Sequence, residues 1–135
     1  KQPVLVITSG SFVPPTNFVV AFDGSATSMR AVQAVARSPL LRGMGAQLVM
    51  AGDPTAEMRD QMMRAQQLLE ESSFKVTTQV IPGVPEEAIP AFLSTRADTF
   101  LVLGAYGHSR IRQLIVGSTT TALLRLSSVP VLVLR

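Results

Sequence analysis

Short apolar runs alternate along this chain with longer amphipathic stretches, and the alternation predicts strands that are each followed by a helix. Runs with the length and composition of buried strands span 18–22, 47–51, 100–103 and 131–134. Between 74 and 81 apolar positions alternate with polar ones, and Thr77 and Gln79 fall on the wetter face. This pattern is typical of a strand near the edge of a sheet.

Helical spacing fills the intervals between these strands. The predicted helices run over about 25–37, 55–72, 85–96 and 118–126. Ser25 and Thr55 are the expected N-caps of the first two, and Pro90 keeps the third short. The second helix directs a group of apolar side chains into the core, namely Met58, Met62, Ala65, Leu68 and Leu69. The alternation predicts an α/β fold: an open, mainly parallel five-stranded sheet with helices on both faces, Rossmann-like.

Size and composition are those of a globular protein of about one domain. The chain has 135 residues, 47% of them hydrophobic and 16% charged, and no cysteine. No apolar run approaches the roughly 20 residues of a membrane helix, no signal peptide is visible, and the absence of thiols suits the cytosol. We therefore expect a cytoplasmic protein with no membrane partner. The net charge of +3 is spread along the chain with few aromatic residues, which does not favour nucleic acid as a partner.

The segment 99–121 has a layout suited to a chain of phosphates. A predicted strand ends at Gly104, and Gly107 follows shortly after it. Gly117 and Ser118 stand directly before the last predicted helix. Glycine lets backbone amides approach phosphate oxygens, and the start of a helix presents free amides and the positive end of the helix dipole.

These glycines match neither of two widespread phosphate-binding patterns. The chain contains no G-x-x-x-x-G-K-(S/T) and no G-x-G-x-x-G, which excludes a P-loop and the dinucleotide fingerprint. Gly104, Gly107, Gly117 and Ser118 do match G-x2-G-x9-G-(S/T). That pattern is the nucleotide signature of the ATP-binding branch of the universal stress protein family, and the chain resembles this family over nearly its whole length.

The resemblance implies a strand order and a place for a ligand. The order is 3-2-1-4-5, in which the direction of winding reverses between strands 1 and 4. Open α/β sheets bind ligands at the carboxyl ends of their strands, at such a reversal. Asp23 follows strand 1 and Gly104 ends strand 4, so we expect the two residues to face each other across that crevice.

The resemblance also implies a ligand, ATP, with or without Mg²⁺ or Mn²⁺. Amides and hydroxyls of the glycine segment would hold the phosphates. Asp23 resembles the family's acid that meets the ribose hydroxyls or an associated metal, and the backbone at Met50 and Ala51 would meet the adenine edge. The residues expected to bind the nucleotide are Asp23, Ala51, Gly104, Gly107, Arg110, Gly117, Ser118 and Thr119.

Several of these residues also have purely structural interpretations. Ser118 suits plain N-capping of the last helix, and Asp23 suits an Asx turn before Gly24. Arg110 and Arg112 either neutralise phosphate or belong to a solvated basic loop.

The sequence indicates neither catalytic residues nor a metal site built from protein ligands. His108 is the only histidine, and cysteine is absent, so the usual ligands of a transition metal are missing. We therefore interpret His108 as a surface residue. Glu86 and Glu87 lie at a predicted helix start, where carboxylates interact favourably with the helix dipole. We interpret them as helix-start charges and not as an acid/base pair. We expect an ATP-binding regulatory protein of the stress response with little or no efficient catalysis. The alternatives are slow ATP hydrolysis and an assembly or dimerisation domain that binds no nucleotide.

The beginning of the chain repeats its end. Residues 3–8, PVLVIT, closely match residues 130–135, PVLVLR. This favours 1–16 as the last strand and linker of a preceding, similar domain, with 17–135 as the stress protein domain in the C-terminal half of a tandem protein. The alternative is a tag remnant or a coincidental apolar strand. Because 131–134 would form an apolar edge, we expect a homodimer or pairing with a second similar domain through it, with antiparallel contact between the two matching segments.

Overall fold

The structure, a computed structural model, describes residues 4–6, 15–96, 98–104 and 129–134. Its strands are β1 (Val4–Val6), β2 (Asn17–Ala21), β3 (Gly45–Ala51), β4 (Lys75–Ile81), β5 (Thr99–Gly104) and β6 (Val131–Leu134). Its helices are α1 (Ala26–Arg37), α2 (Ala56–Glu71) and α3 (Pro85–Leu93), with a short 3-10 helix at Pro39–Leu41. The helix predicted over 118–126 lies outside the described residues.

Strands β2 to β6 form a parallel sheet in the order β4-β3-β2-β5-β6. In the numbering of the five predicted strands this order is 3-2-1-4-5, so the predicted α/β fold class and strand order are confirmed. From β2 the chain winds in one direction to β3 and β4, and then in the other through β5 to β6. The reversal therefore lies between β2 and β5, which places the expected ligand crevice there.

A sixth strand, β1, extends this sheet beyond β6 in the antiparallel sense. The paired residues are Val4 with Val133, Leu5 with Leu132, and Val6 with Val131. The predicted antiparallel contact between the first and last segments is confirmed, and it forms within one chain. This pairing covers the apolar edge that β6 would otherwise present.

One face of the sheet is covered by α1 and α2. In the core beneath them Phe18 packs edge-on against Phe74, with ring centres 5.7 Å apart, and lies 5.9 Å from the ring of Phe100. The predicted inward face of α2 is confirmed, with Met62, Ala65 and Leu69 buried and Met58 and Leu68 half-buried. Burial of each large apolar side chain stabilises the fold by about 1.5–3 kcal/mol. This layer therefore holds both helices on the sheet.

On the opposite face, α3 packs through Ile89 and Leu93. It ends at Leu93, earlier than the predicted boundary near Arg96. Pro90 inside this helix has no amide hydrogen to donate. Arg96 then returns over the last turn, where its Nη1 donates to the Phe92 carbonyl at 2.8 Å and its guanidinium lies 3.8 Å from the Phe92 ring centre. This side-chain bond satisfies one of the last carbonyls of α3.

Within the described part of the chain, β4 is the outer strand on the far side of the sheet. Lys75, Thr77, Thr78 and Gln79 are exposed on it. The predicted wet face of this strand and its place at an edge are therefore confirmed. Charged and polar side chains on an edge strand discourage pairing with another chain.

Candidate functional site

The ends of β2 and β5 lie side by side at the carboxyl edge of the sheet. Their parallel register pairs Val20 with Val102. Asp23 follows the end of β2, and Gly104 is the last residue of β5. The two residues thus flank the winding reversal, which is the arrangement that a ligand crevice requires.

The carboxylate of Asp23 is held by the chain that follows it. Its Oδ1 accepts hydrogen bonds from the backbone amide of Ser25 and from the hydroxyl of Ser28, both at 2.9 Å. The first bond is the Asx turn that the sequence offers as a structural role for Asp23. Among the described residues no group donates to Oδ2. The turn and a ligand contact are therefore compatible.

Hydrogen bonding decides the protonation of this carboxylate. Asp23 is an exposed residue whose carboxylate is partly buried. Partial burial raises the pKa of Asp23, but hydrogen bonds from Ser25 and Ser28 outweigh it and leave the pKa below its ordinary value of 3.8. Asp23 is an anion at neutral pH, so it suits a hydroxyl donor or a hard cation.

Ser25 begins α1 as predicted, and Ser28 completes the cluster. The Oγ of Ser25 accepts the amide hydrogen of Ser28 at 3.2 Å, which makes Ser25 the N-cap. Ser28 is only 5% exposed, and its Oγ lies 3.0 Å from the Ser25 carbonyl oxygen and 3.3 Å from the Ser25 Oγ. Ser28 belongs to none of the motifs that mark the site in the sequence. The sequence feature that could have identified Ser28 is its position three residues after the N-cap, where a polar side chain often bonds back to the capping residue.

Gly104 has a structural requirement of its own. A Cβ at this position would lie 2.7 Å from the carbonyl oxygen of Thr27 and 3.2 Å from the Cβ of Ala31. Glycine therefore lets α1 approach the end of β5 closely. This packing explains the glycine without a ligand, and a role of Gly104 in holding phosphate stays a prediction.

The adenine contact predicted at the end of β3 involves two residues with different surroundings. Met50 is 1% exposed and belongs to the core beneath α1 and α2. Ala51, which ends β3, is half-buried on the opposite face of the sheet. The Met50 side chain is thus taken up by packing, and a contact from this strand end would come from the backbone.

The remaining predicted site residues lie outside the described residues. They are Gly107, Arg110, Gly117, Ser118 and Thr119, together with His108 and Arg112. Their position relative to Asp23 stays a prediction.

Two further properties concern the described residues alone. Those residues contain no group of three or more His, Cys, Asp or Glu side chains that could hold a metal ion. In the same part of the chain, no helix combines the length and apolar character needed to cross a membrane.

The parallel sheet and its winding reversal define a doubly wound α/β domain, and the acidic turn of Asp23 lies at the carboxyl edge where such sheets bind ligands. The chain belongs to the universal stress protein family, whose model matches residues 47–135.

Relatives of known name and structure extend this result. Universal stress protein Slr1230 of Synechocystis is 38% identical over 99% of this chain and 47% of its own length. A universal stress protein from Archaeoglobus fulgidus superposes with a TM-score of 0.75 at 22% identity, over 98% of this chain and 49% of that one. A universal stress protein in complex with cAMP superposes with a TM-score of 0.73 at 24% identity, over 91% of this chain and 98% of that one. At these sequence identities, the two superpositions establish the fold alone. The chain spans about half the length of the curated relatives it matches.

Proposed function

We propose that this domain binds an adenine nucleotide, ATP in the first place, and acts as a cytoplasmic regulatory protein of a stress response. The observation that carries the proposal is the anionic Asp23 carboxylate at the winding reversal, beside the strand from which the glycine segment departs. The cAMP complex of a similar stress protein supports an adenine nucleotide as the ligand class.

The chemistry of Asp23 suits the ribose of such a ligand. One oxygen is engaged by Ser25 and Ser28, while Oδ2 accepts from no group among the described residues. A carboxylate oxygen forms strong, charge-assisted hydrogen bonds with hydroxyl donors. The ribose diol supplies such donors, so Asp23 would orient the sugar.

The phosphates would be held by the glycine segment. Backbone amides around Gly107 and Gly117, with the hydroxyls of Ser118 and Thr119, form the proposed cradle, and Arg110 would neutralise charge. A divalent ion fits the same arrangement, because Mg²⁺ and Mn²⁺ prefer carboxylate and phosphate oxygens. Asp23 would supply the protein oxygen, and the ion would screen the phosphate charge.

Calorimetric titration with ATP, with and without Mg²⁺, tests this function. We expect a Kd of about micromolar order for the wild-type chain and no binding by Gly117→Val, whose side chain would fill the cradle. Gly45→Ala is the matched control, since it changes a glycine at the opposite end of the sheet. Equal binding by wild type and Gly117→Val, or no binding by folded wild-type protein, would refute the proposal.

We further propose that nucleotide binding is regulatory and that turnover is slow at most. Asp23 is the only acid that the fold places at the reversal among the described residues. A single carboxylate without a neighbouring base does not form the acid/base pair that efficient hydrolysis would use. ATP hydrolysis at an ordinary enzymatic rate that disappears in Asp23→Ala would overturn this part of the proposal.

A second proposal concerns assembly, and the β1–β6 register favours it. The sequence repeat equates residues 4–6 with residues 131–133, whereas the sheet pairs Leu5 with Leu132 and exchanges the flanking valines. Equivalent residues are therefore related by a local two-fold axis through the leucine pair, as in a contact between two copies of one strand. We propose that residues 1–16 belong to a preceding, similar domain and that 17–135 form the stress protein domain. The β6 edge would then join two such domains, in a tandem protein or a homodimer.

A further inference from the structure

The first turn of α1 touches both sides of the crevice. On the β2 side, the Ser28 hydroxyl lies 2.9 Å from Asp23 Oδ1. On the β5 side, the Thr27 carbonyl oxygen lies 2.7 Å from the position that a Cβ of Gly104 would take. Two consecutive residues of one helical turn therefore connect the carboxylate to the strand from which the glycine segment departs.

The Ser28 hydroxyl has one proton and two oxygens that can accept it, while a third neighbour, Ser25 Oγ at 3.3 Å, donates to it. Asp23 Oδ1 lies at 2.9 Å and the Ser25 carbonyl oxygen at 3.0 Å, whereas a hydroxyl donates a single hydrogen bond. A bond to an ionised carboxylate is about twice as strong as a bond between neutral groups. The proton therefore goes to Asp23 when that residue is charged, and the 5% exposure of Ser28 leaves little water to compete for it.

We propose that Ser28 is a positioning residue: it holds Asp23 through Oδ1 in one orientation and so leaves Oδ2 as the acceptor for a ligand hydroxyl or a ligand-bound cation. The proposal rests on the nucleotide function proposed above. Its physical basis is preorganisation, because an acceptor fixed before binding loses less side-chain freedom when the ligand arrives. Ser28 belongs neither to the glycine motif nor to a strand end, and it acts through Asp23 alone.

A double-mutant cycle measures this role. We expect Ser28→Ala to weaken ATP binding about tenfold, in keeping with the loss of one hydrogen bond to a charged group. In an Asp23→Ala background the same substitution should cause no further loss, because the carboxylate that it positions is gone. A merely structural role of Ser28 would lower the affinity by the same factor in both backgrounds, and that result would overturn the proposal.

The variants allow a matched control. Ser72 at the end of α2 is also a partly shielded serine, and its Oγ donates to the Leu68 carbonyl at 3.3 Å. Ser72→Ala should leave ATP affinity unchanged. Alanine has the higher helix propensity, so Ser28→Ala is expected to fold, and circular dichroism verifies this.

A second measurement needs no nucleotide. Carbon-detected NMR titration of the Asp23 carboxyl in the unliganded protein should give a higher pKa in Ser28→Ala than in wild type, because a bond that favours the charged form is lost. An unchanged pKa overturns the positioning role, whatever the binding data show. If the pKa rises but wild-type protein binds no adenine nucleotide, the proposed function fails while the positioning of the carboxylate is supported.

Discussion

At the residue scale, the two oxygens of Asp23 differ in their hydrogen bonds. Oδ1 is engaged by the turn that starts α1, and Oδ2 receives no hydrogen bond from the described residues. The sequence presented an Asx turn and a ligand contact as competing roles for this residue. The structure makes them compatible, because the turn uses one oxygen and fixes the orientation of the other.

The lowered pKa of Asp23 links the site to acid stability. A carboxyl whose pKa is lower in the folded chain stabilises the fold above its ordinary value of 3.8, and the contribution is lost as pH falls through the lowered pKa. We expect Asp23→Asn to be less stable than wild type at neutral pH, with the difference shrinking below pH 3.8. Urea unfolding at neutral and acid pH measures this, and an equal difference at both would contradict it.

Gly104 allows a second test at this scale. We expect Gly104→Ala to destabilise the fold by about 1–3 kcal/mol, because its Cβ would be forced against the Thr27 carbonyl. Gly45→Ala is the control, since its Cβ would meet Asn17 at an ordinary 3.4 Å. Its effect should be neutral or a gain of about 0.5–1 kcal/mol. Equal losses in urea unfolding of both variants would refute the close approach of α1 to β5.

At the scale of the elements, local signals decided where α1 and α2 begin. Ser25 and Thr55 are followed by helical patterns, and both accept the amide hydrogen of the residue three positions on. The end of α3 was predicted less well. Beyond Leu93 the chain continues as a turn, in which the Arg96 amide donates to the Leu93 carbonyl at 2.9 Å and the Arg96 side chain to the Phe92 carbonyl. Helical spacing alone does not distinguish such a turn from a further turn of helix.

The N-cap of α2 gives a prediction at this scale. Thr55 Oγ1 accepts the Met58 amide hydrogen at 3.1 Å. We expect Thr55→Ala to lower the free energy of unfolding by about 0.5–2 kcal/mol, because that amide loses its partner. Thr55→Ser retains the hydroxyl and should stay close to wild type. A loss in Thr55→Ser as large as that in Thr55→Ala would point to the methyl group instead of the cap.

At the scale of the whole molecule, β1 covers the apolar edge strand β6. The β6 strand is apolar, and its register with β1 has the symmetry of a contact between like strands. The opposite edge, β4, carries Lys75 and several exposed polar side chains. The two edges therefore differ in their capacity to join another domain.

Removal of residues 1–8 tests the pairing capacity of β6. We expect the shortened chain to dimerise through the uncovered edge, with a sedimentation mass about twice that of the 14.4 kDa chain. Deletion of residues 1–2 alone leaves β1 in place and should not change the mass. A shortened chain that stays folded and monomeric would contradict the proposed role of this edge.

The sequence by itself determined the family of this protein and, apart from the end of α3 and the short 3-10 helix, the elements that the structure describes. Strand and helix periodicity, the caps and the glycine spacing are local properties that can be recognised without a structure. The repeat of residues 3–8 at 130–135 also predicted the pairing of β1 with β6. The tertiary structure decided which groups meet at the carboxyl edge of the sheet: the Thr27 carbonyl on Gly104, and Ser28 on Asp23. The first of these contacts depends on how α1 packs against β5. That packing is set by the summed burial of many side chains, so no single residue spacing encodes it.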